Sequence, residues 1–171
     1  MARGLRPNAP GAFAHVPGAT TIIHEAFIKA FGGQHGGKMP EWDNRRHFFG
    51  SVARAMGQFI VDWHRTNTRQ KRGGGQRPAS LGDAESQIPD FATPKSLEQA
   101  AEQLTPELHE AMRLLEAHSQ IAADVIWLRY VAGLSIDDTA SVLDIDARTV
   151  SKHWNYGRAW LRRELTRGAG A

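Results

Sequence analysis

The stretch ARTVSKHWNYGRAWLRREL (147–165) carries five cations, Arg148, Lys152, Arg158, Arg162 and Arg163, against one acid, Glu164. Guanidinium and ammonium groups at helical spacing bind anions; they do not by themselves break bonds. If Val150, Trp154, Gly157 and Leu161 face a core at i, i+4, i+7 and i+11, then Arg148, Thr149, Ser151, Lys152 and Asn155 point outward on the first turns. A helix fits the major groove, and its N-terminal residues reach base edges. There Lys or Arg donates to guanine and Asn pairs with adenine. Arg158 and Arg162, with Arg163, lie further along and suit phosphates, which position a protein without specifying sequence. A helical hairpin with a solvated basic face accounts for the same charge, so the neighbouring residues decide. Ser135-x-x-Asp138 has the spacing of a capping box, and Ala140 is small enough for a close helix crossing. Asp144 tolerates a left-handed turn, and Asp146 can cap the second helix. Together these describe a helix-turn-helix.

A second basic patch lies in HRTNTRQKRGGGQR (64–77), with five Lys or Arg and no acid. Between the patches, residues 83–110 hold seven acids and one lysine, Lys95. The net charge of +3 therefore hides two basic regions around an acidic middle, as expected for two surfaces that face a polyanion. Cations interleaved with aromatic rings suit single-stranded nucleic acid, on which bases stack, and Trp42, Phe48, Phe49, Trp63 and His64 are the candidate rings. Helical spacing puts most of these on an apolar face, where plain core packing is the simpler role, and leaves Trp42 as the exposed exception.

Other chemistry finds little support. The chain has no cysteine, hence no disulfide or thiolate metal site. Its eight histidines show no HExxH or comparable ligand spacing, so no metal and no cofactor are expected. Gly73-Gly74-Gly75 lacks the Lys and Ser/Thr of a phosphate loop. Asp137-Asp138 sits in a first helical turn, where carboxylates favour the helix dipole. No nucleophile arrangement stands out, and the chain is read as a non-enzyme. No apolar run approaches a membrane span and the start is a poor secretory signal, which points to the cytoplasm.

The elements that position these residues are helical throughout. TTIIHEAFIKAF begins at Thr20 or Thr21 as N-cap, with Ile22, Ile23, Ala26, Phe27, Ala30 and Phe31 apolar and Gly32-Gly33 as a stop. From Arg45 or His47, Phe48, Val52, Ala55, Met56, Phe59, Ile60 and Trp63 recur at steps of three and four, until Gly73-Gly74-Gly75. Ser96 caps a short helix to Gln103. Thr105 caps the next, with Pro106 at its first position and Leu108, Met112 and Leu115 inward. SQIAADVIWLRYVAG follows, with Ile121, Val125, Leu128 and Val131 inside and Gly133 as a stop. The fold class is all-α: two small helical domains joined by a flexible linker. Residues 1–19 are expected to be disordered, 20–75 form one lobe, 76–98 the linker and 99–165 the helix-turn-helix lobe.

Three blocks carry a resemblance: TTIIHEAFIKAF, NRRHFFGSVARAMGQFIVDWHRTNTRQKRGGG and ARTVSKHWNYGRAWLRREL, in that order. The chain resembles a bacterial sigma factor of the extracytoplasmic-function type, over about residues 20 to 165. The resemblance implies two helical domains, regions 2 and 4. Region 2 binds the β′ clamp of core RNA polymerase and melts the promoter −10 element; region 4 binds the β flap and reads the −35 element. By position, His24, Glu25, Phe27, Ile28 and Lys29 match the polymerase-binding helix. Arg54, Gln58, Asp62, Arg65 and Arg69 match the helix that faces the −10 strand. An anti-sigma factor or other regulator is a further partner of the kind the resemblance implies.

The competing reading is a stand-alone helix-turn-helix regulator that binds operators without polymerase. A repressor has no use for a polar, exposed face at His24, Glu25 and Lys29, and that face separates the two. A nucleic-acid-processing enzyme would need an acidic metal cluster, which the sequence lacks. Two further expectations concern the whole chain. The acidic linker lets the free protein fold back on its basic lobes. And relatives place more helix before the first block than the residues preceding Thr20 provide, so Ile22, Ile23, Phe27 and Phe31 should lack cover, through a marginal N-terminal lobe or a start further upstream.

Overall fold

The computed structural model describes residues 16–31, 42–72 and 94–169. The two glycine stops at 32–33 and 73–75, the expected linker up to residue 93 and most of the expected disordered start lie outside them. Among the described residues every regular element is helical. These are α1 (Ala19–Phe31), α2 (Arg45–Arg72), α3 (Leu97–Gln103), α4 (Pro106–His118), α5 (Gln120–Ile126), α6 (Ile136–Leu143) and α7 (Ala147–Ala169). A π-helical turn, Trp127–Val131, continues α5.

Local chemistry sets most helix starts. Ser96, Thr105 and Ser135 accept from the backbone N–H of Gln99, Leu108 and Asp138, and Pro106 occupies the first turn of α4. Helix α1 differs from expectation. It starts at Ala19, with the Gly18 carbonyl accepting from Thr21 and Ile22. The Ala19 N–H donates to Glu98 at 2.8 Å, an acceptor 79 positions away that local spacing cannot reveal. Helix α3 begins at Leu97, so the last two residues assigned to the linker are helical.

Helix α1 packs along α2; α2 lies across α4, the π-helical turn and α6; α7 packs on α4, α5 and α6. One buried apolar cluster runs from Ile22 and Ala26 through Met56, Phe59 and Ile60 to Leu104, Leu115, Trp127, Leu128 and Leu161. Each large side chain so buried contributes roughly 1.5–3 kcal/mol. The segment after Ser119 is buried all round from Ala122 to Val131, whereas Ile121, expected inside, is only partly covered. Asp124 takes an inward position instead. In α1, Ile22 and Ala26 are fully buried, while Ile23 and Phe27 are 52% and 54% exposed. The expected lack of cover therefore holds for two of the apolar residues and fails for Ile22, which α2 covers; the Phe31 side chain lies outside the described residues.

Candidate nucleic-acid interface

The turn between α6 and α7 is built as the residue types require. Asp144 closes α6 with φ 56° and ψ 49°, a left-handed conformation that its short polar side chain tolerates. Asp146 then accepts from the Thr149 N–H at 2.8 Å and from the Thr149 hydroxyl at 2.6 Å. The Thr149 hydroxyl bond, then the backbone bond, hold the Asp146 carboxyl below its ordinary pKa, so the cap stays ionised. Val150, Trp154, Gly157 and Leu161 are buried, and this fixes the rotation of α7 about its axis. A Cβ at Gly157 would stand 2.8 Å from Ile126, so only glycine lets α7 approach α5 this closely.

With that rotation fixed, Arg148, Lys152, Asn155 and Arg162 are all exposed. At about 100° per residue they share roughly 80° of arc, one stripe along the outer face. Arg163 flanks it, also exposed. Three other expected members are engaged within the helix. Thr149 completes the cap, and the Ser151 hydroxyl donates to the Ala147 carbonyl at 3.0 Å. Arg158 lies 5.6 Å above the Trp154 ring, and Arg129 lies over the same ring at 4.5 Å. Burial, and then the charge of Arg158, lower the Arg129 pKa from its usual value.

The α2 set also forms a stripe, since Arg54, Gln58, Asp62, Arg65 and Arg69 recur at steps of three and four. The stripe is occupied by intramolecular bonds for much of its length. Gln58 donates to Asp62 at 2.8 Å, and Lys29 of α1 reaches the same carboxylate at 2.6 Å. Both groups of the Lys29–Asp62 pair are about 40% exposed, and a pair so solvated adds little stability. Arg54 donates to Glu116 at 2.5 Å and to Asp124 at 2.7 Å. Burial works against the Arg54 charge, but the hydrogen bonds and charges of Asp124 and Glu116 outweigh it and raise the pKa. Arg65 is exposed; the Arg69 side chain lies outside the described residues.

The aromatic candidates divide. Trp63 is buried core, and the His64 Nε2–H donates to the Ala101 carbonyl at 2.8 Å, which makes its role packing. Trp42, Phe48 and Phe49 stack edge to face, 5.6 and 5.2 Å apart, at the start of α2. Trp42, expected to be exposed, is partly covered by this cluster. On α1, His24, Phe27, Ile28 and Lys29 are exposed and Glu25 is partly so. Sequence reasoning missed Glu116 and Asp124. The available signal was an acid at Asp124 inside the apolar run IAADVIW, where a charge persists only with partners.

Among the described residues no group of three or more His, Asp or Glu side chains is placed to hold a metal ion, and no helix is long and apolar enough to cross a membrane. A model of the ECF sigma factor family matches residues 14–167. No curated protein and no solved structure matches.

Proposed function

The chain belongs to the ECF sigma factor family, and from that membership we propose how its helices divide the task of a promoter-specificity subunit. As a member it binds core RNA polymerase and directs promoter recognition and initiation; it is a DNA-binding regulatory protein and not an enzyme. The stripe Arg148, Lys152, Asn155 and Arg162 reads the −35 element in the major groove. Arg148, Lys152 and Asn155 reach base edges, while Arg162, with Arg158 beside it, holds phosphates. Ser151 and Thr149 support this face, with lone pairs still free to accept. Arg54, Gln58, Asp62, Arg65 and Arg69 face the melted −10 strand. The exposed face of α1, with His24, Glu25, Phe27, Ile28 and Lys29, docks on the β′ clamp, and the 99–165 lobe on the β flap. Residues 20–75 and 99–165 act as two lobes around the linker, in the cytoplasm, where an anti-sigma factor is a fitting regulator.

The observation that carries the −35 assignment is the rotation of α7. Its buried residues leave one cationic stripe with an adenine-reading Asn at its N-terminal half. A regulator acting without polymerase would use the same helix, but family membership favours the sigma factor. The test is binding of polymerase carrying this subunit to duplexes randomised over the upstream element. The proposal expects Lys152→Ala to change the preferred bases; an unchanged preference refutes the assignment of this face.

A further inference from the structure

His118, the last residue of α4, is exposed and stacks on α7. Its ring lies nearly parallel to the Trp160 indole, 5.6 Å between centroids, and to the Tyr156 ring at 6.3 Å. His118 Nε2 and the Tyr156 hydroxyl stand 2.6 Å apart, a hydrogen bond in which either group can donate. Tyr156 is 43% exposed, and the bond lies at the surface. Helical spacing sets this pair beside the stripe on α7. At about 100° per residue, Tyr156 stands about 80° to one side of Arg148, and Arg158 about 80° to the other. A helix about 10–12 Å across fills a major groove about 12 Å wide, so two such flanks meet the two phosphate backbones. Arg158 serves one wall. Tyr156, one turn after Lys152 and two turns before Arg163, stands at the other.

A phenol has a single proton to donate. The neutral imidazole can hold the bond in either direction, and when Nε2 accepts, the Tyr156 proton is used inside the protein. The imidazolium has two N–H groups and no acceptor, so it can only donate to the Tyr156 oxygen, and the phenolic proton is then turned outward. The Trp160 face offers that cation a cation–π contact, and the added charge favours a polyanion. We propose that Tyr156 holds a backbone phosphate on one wall of the −35 groove, and that His118 is its positioning residue, aiming the hydroxyl outward when protonated. This contact rests on the reading that α7 lies in the −35 major groove, and it makes promoter affinity rise on acidification. Histidine suits such a role because its charge changes between about pH 5 and 8. The carboxylates around this end of α4 have cationic partners: Glu116 and Asp124 bind Arg54 of α2, Glu110 lies 3.8 Å from Arg113, and Glu164 of α7 lies 3.2 Å from Arg167. On α7, Lys152 and Arg163 are the exposed cations to either side, and His153, three residues before Tyr156, is the other group there that can titrate near neutrality.

The test measures binding of polymerase carrying the full chain to duplexes with the upstream element, at about pH 5.5 and about pH 7.5. Each variant is compared with the wild type at the same pH, so that titration of polymerase itself cancels. Tyr156→Phe keeps the ring stack and loses only the hydroxyl. At the lower pH it should weaken binding about three- to tenfold, equally on all sequences, and at the higher pH by less. His118→Gln should match the wild type at the higher pH and lose the gain on acidification. His118→Arg, a permanent donor, should bind with the tighter affinity at both, and His153→Gln should keep the wild-type response. Circular dichroism melts check folding; if Tyr156→Phe does not fold, the two His118 variants decide. Tyr156→Phe equal to the wild type at both pH values, or a full pH response surviving in His118→Gln, overturns the contact. So does weaker association of Tyr156→Phe with core polymerase at unchanged DNA affinity, which would make the pair a polymerase-docking surface. Wild-type polymerase that shows no preference for the upstream element, or a preference unchanged in Lys152→Ala, overturns the −35 reading instead, so the two failures are distinct.

Discussion

Lys152, Arg148 and Arg162 share a stripe yet differ in what they can specify. Lys152→Ala and Arg148→Ala are each expected to change base preference in the upstream element, at about 1–3 kcal/mol of discrimination per base-edge contact. Arg162→Ala should weaken all sequences alike and lower the salt slope by about one. Selection from randomised duplexes at two salt concentrations reads both. His109 provides a prediction of a different kind. It is buried edge-on against Trp127, 5.6 Å between ring centroids. Burial first, and then Arg65 and Arg113, lower its pKa from 6.5, with Glu110 and Asp62 opposing. The unfolded chain therefore binds more protons than the folded one as pH falls below about 6.5. The contribution is intact above that value and is lost on acidification. The melting temperature should fall between about pH 7.5 and pH 5.5, and fall less in His109→Gln.

Individual helices were legible where their ends are closed by near neighbours. Ser96, Thr105, Ser135 and Asp146 cap as their spacing indicates, because the acceptor and the N–H lie within three residues. The buried face of α7 followed from its periodicity, and with it the outward stripe. What the sequence concealed depends on distant partners or on small changes of pitch. The start of α1 depends on Glu98, and the inward turn of Asp124 depends on Arg46 and Arg54. The π-helical turn, closed by the Ala132 N–H on the Trp127 carbonyl, leaves the apolar pattern of a fully buried segment unchanged and so has no periodic signature. The left-handed Asp144 provides a test at this scale. Asp144→Val should cost about 1–2 kcal/mol, while Asp144→Gly should be neutral or stabilising. Denaturant melts of the two variants check it; equal stabilities would mean that the turn is not held left-handed in solution.

At the scale of the whole molecule, the two halves share one core, while the α1 face and the α7 stripe remain on its outside. Phe27 and Ile28 are 54% and 45% exposed, so Phe27→Ser and Ile28→Ser should change stability little. Both should weaken association with core polymerase, as an apolar docking face requires. Melting curves beside co-purification separate that outcome from simple misfolding, and a drop in stability with unchanged polymerase binding would make α1 a structural helix only. As an ECF sigma factor the chain acts through polymerase. The most direct measurement is transcription by core polymerase, freed of other specificity subunits, on a promoter library with and without the purified chain. The expected result is chain-dependent initiation at a subset of promoters that share an upstream element, with the subset altered by Lys152→Ala. Tight binding of the chain alone to duplex operators, with no association with polymerase and no initiation, would contradict it.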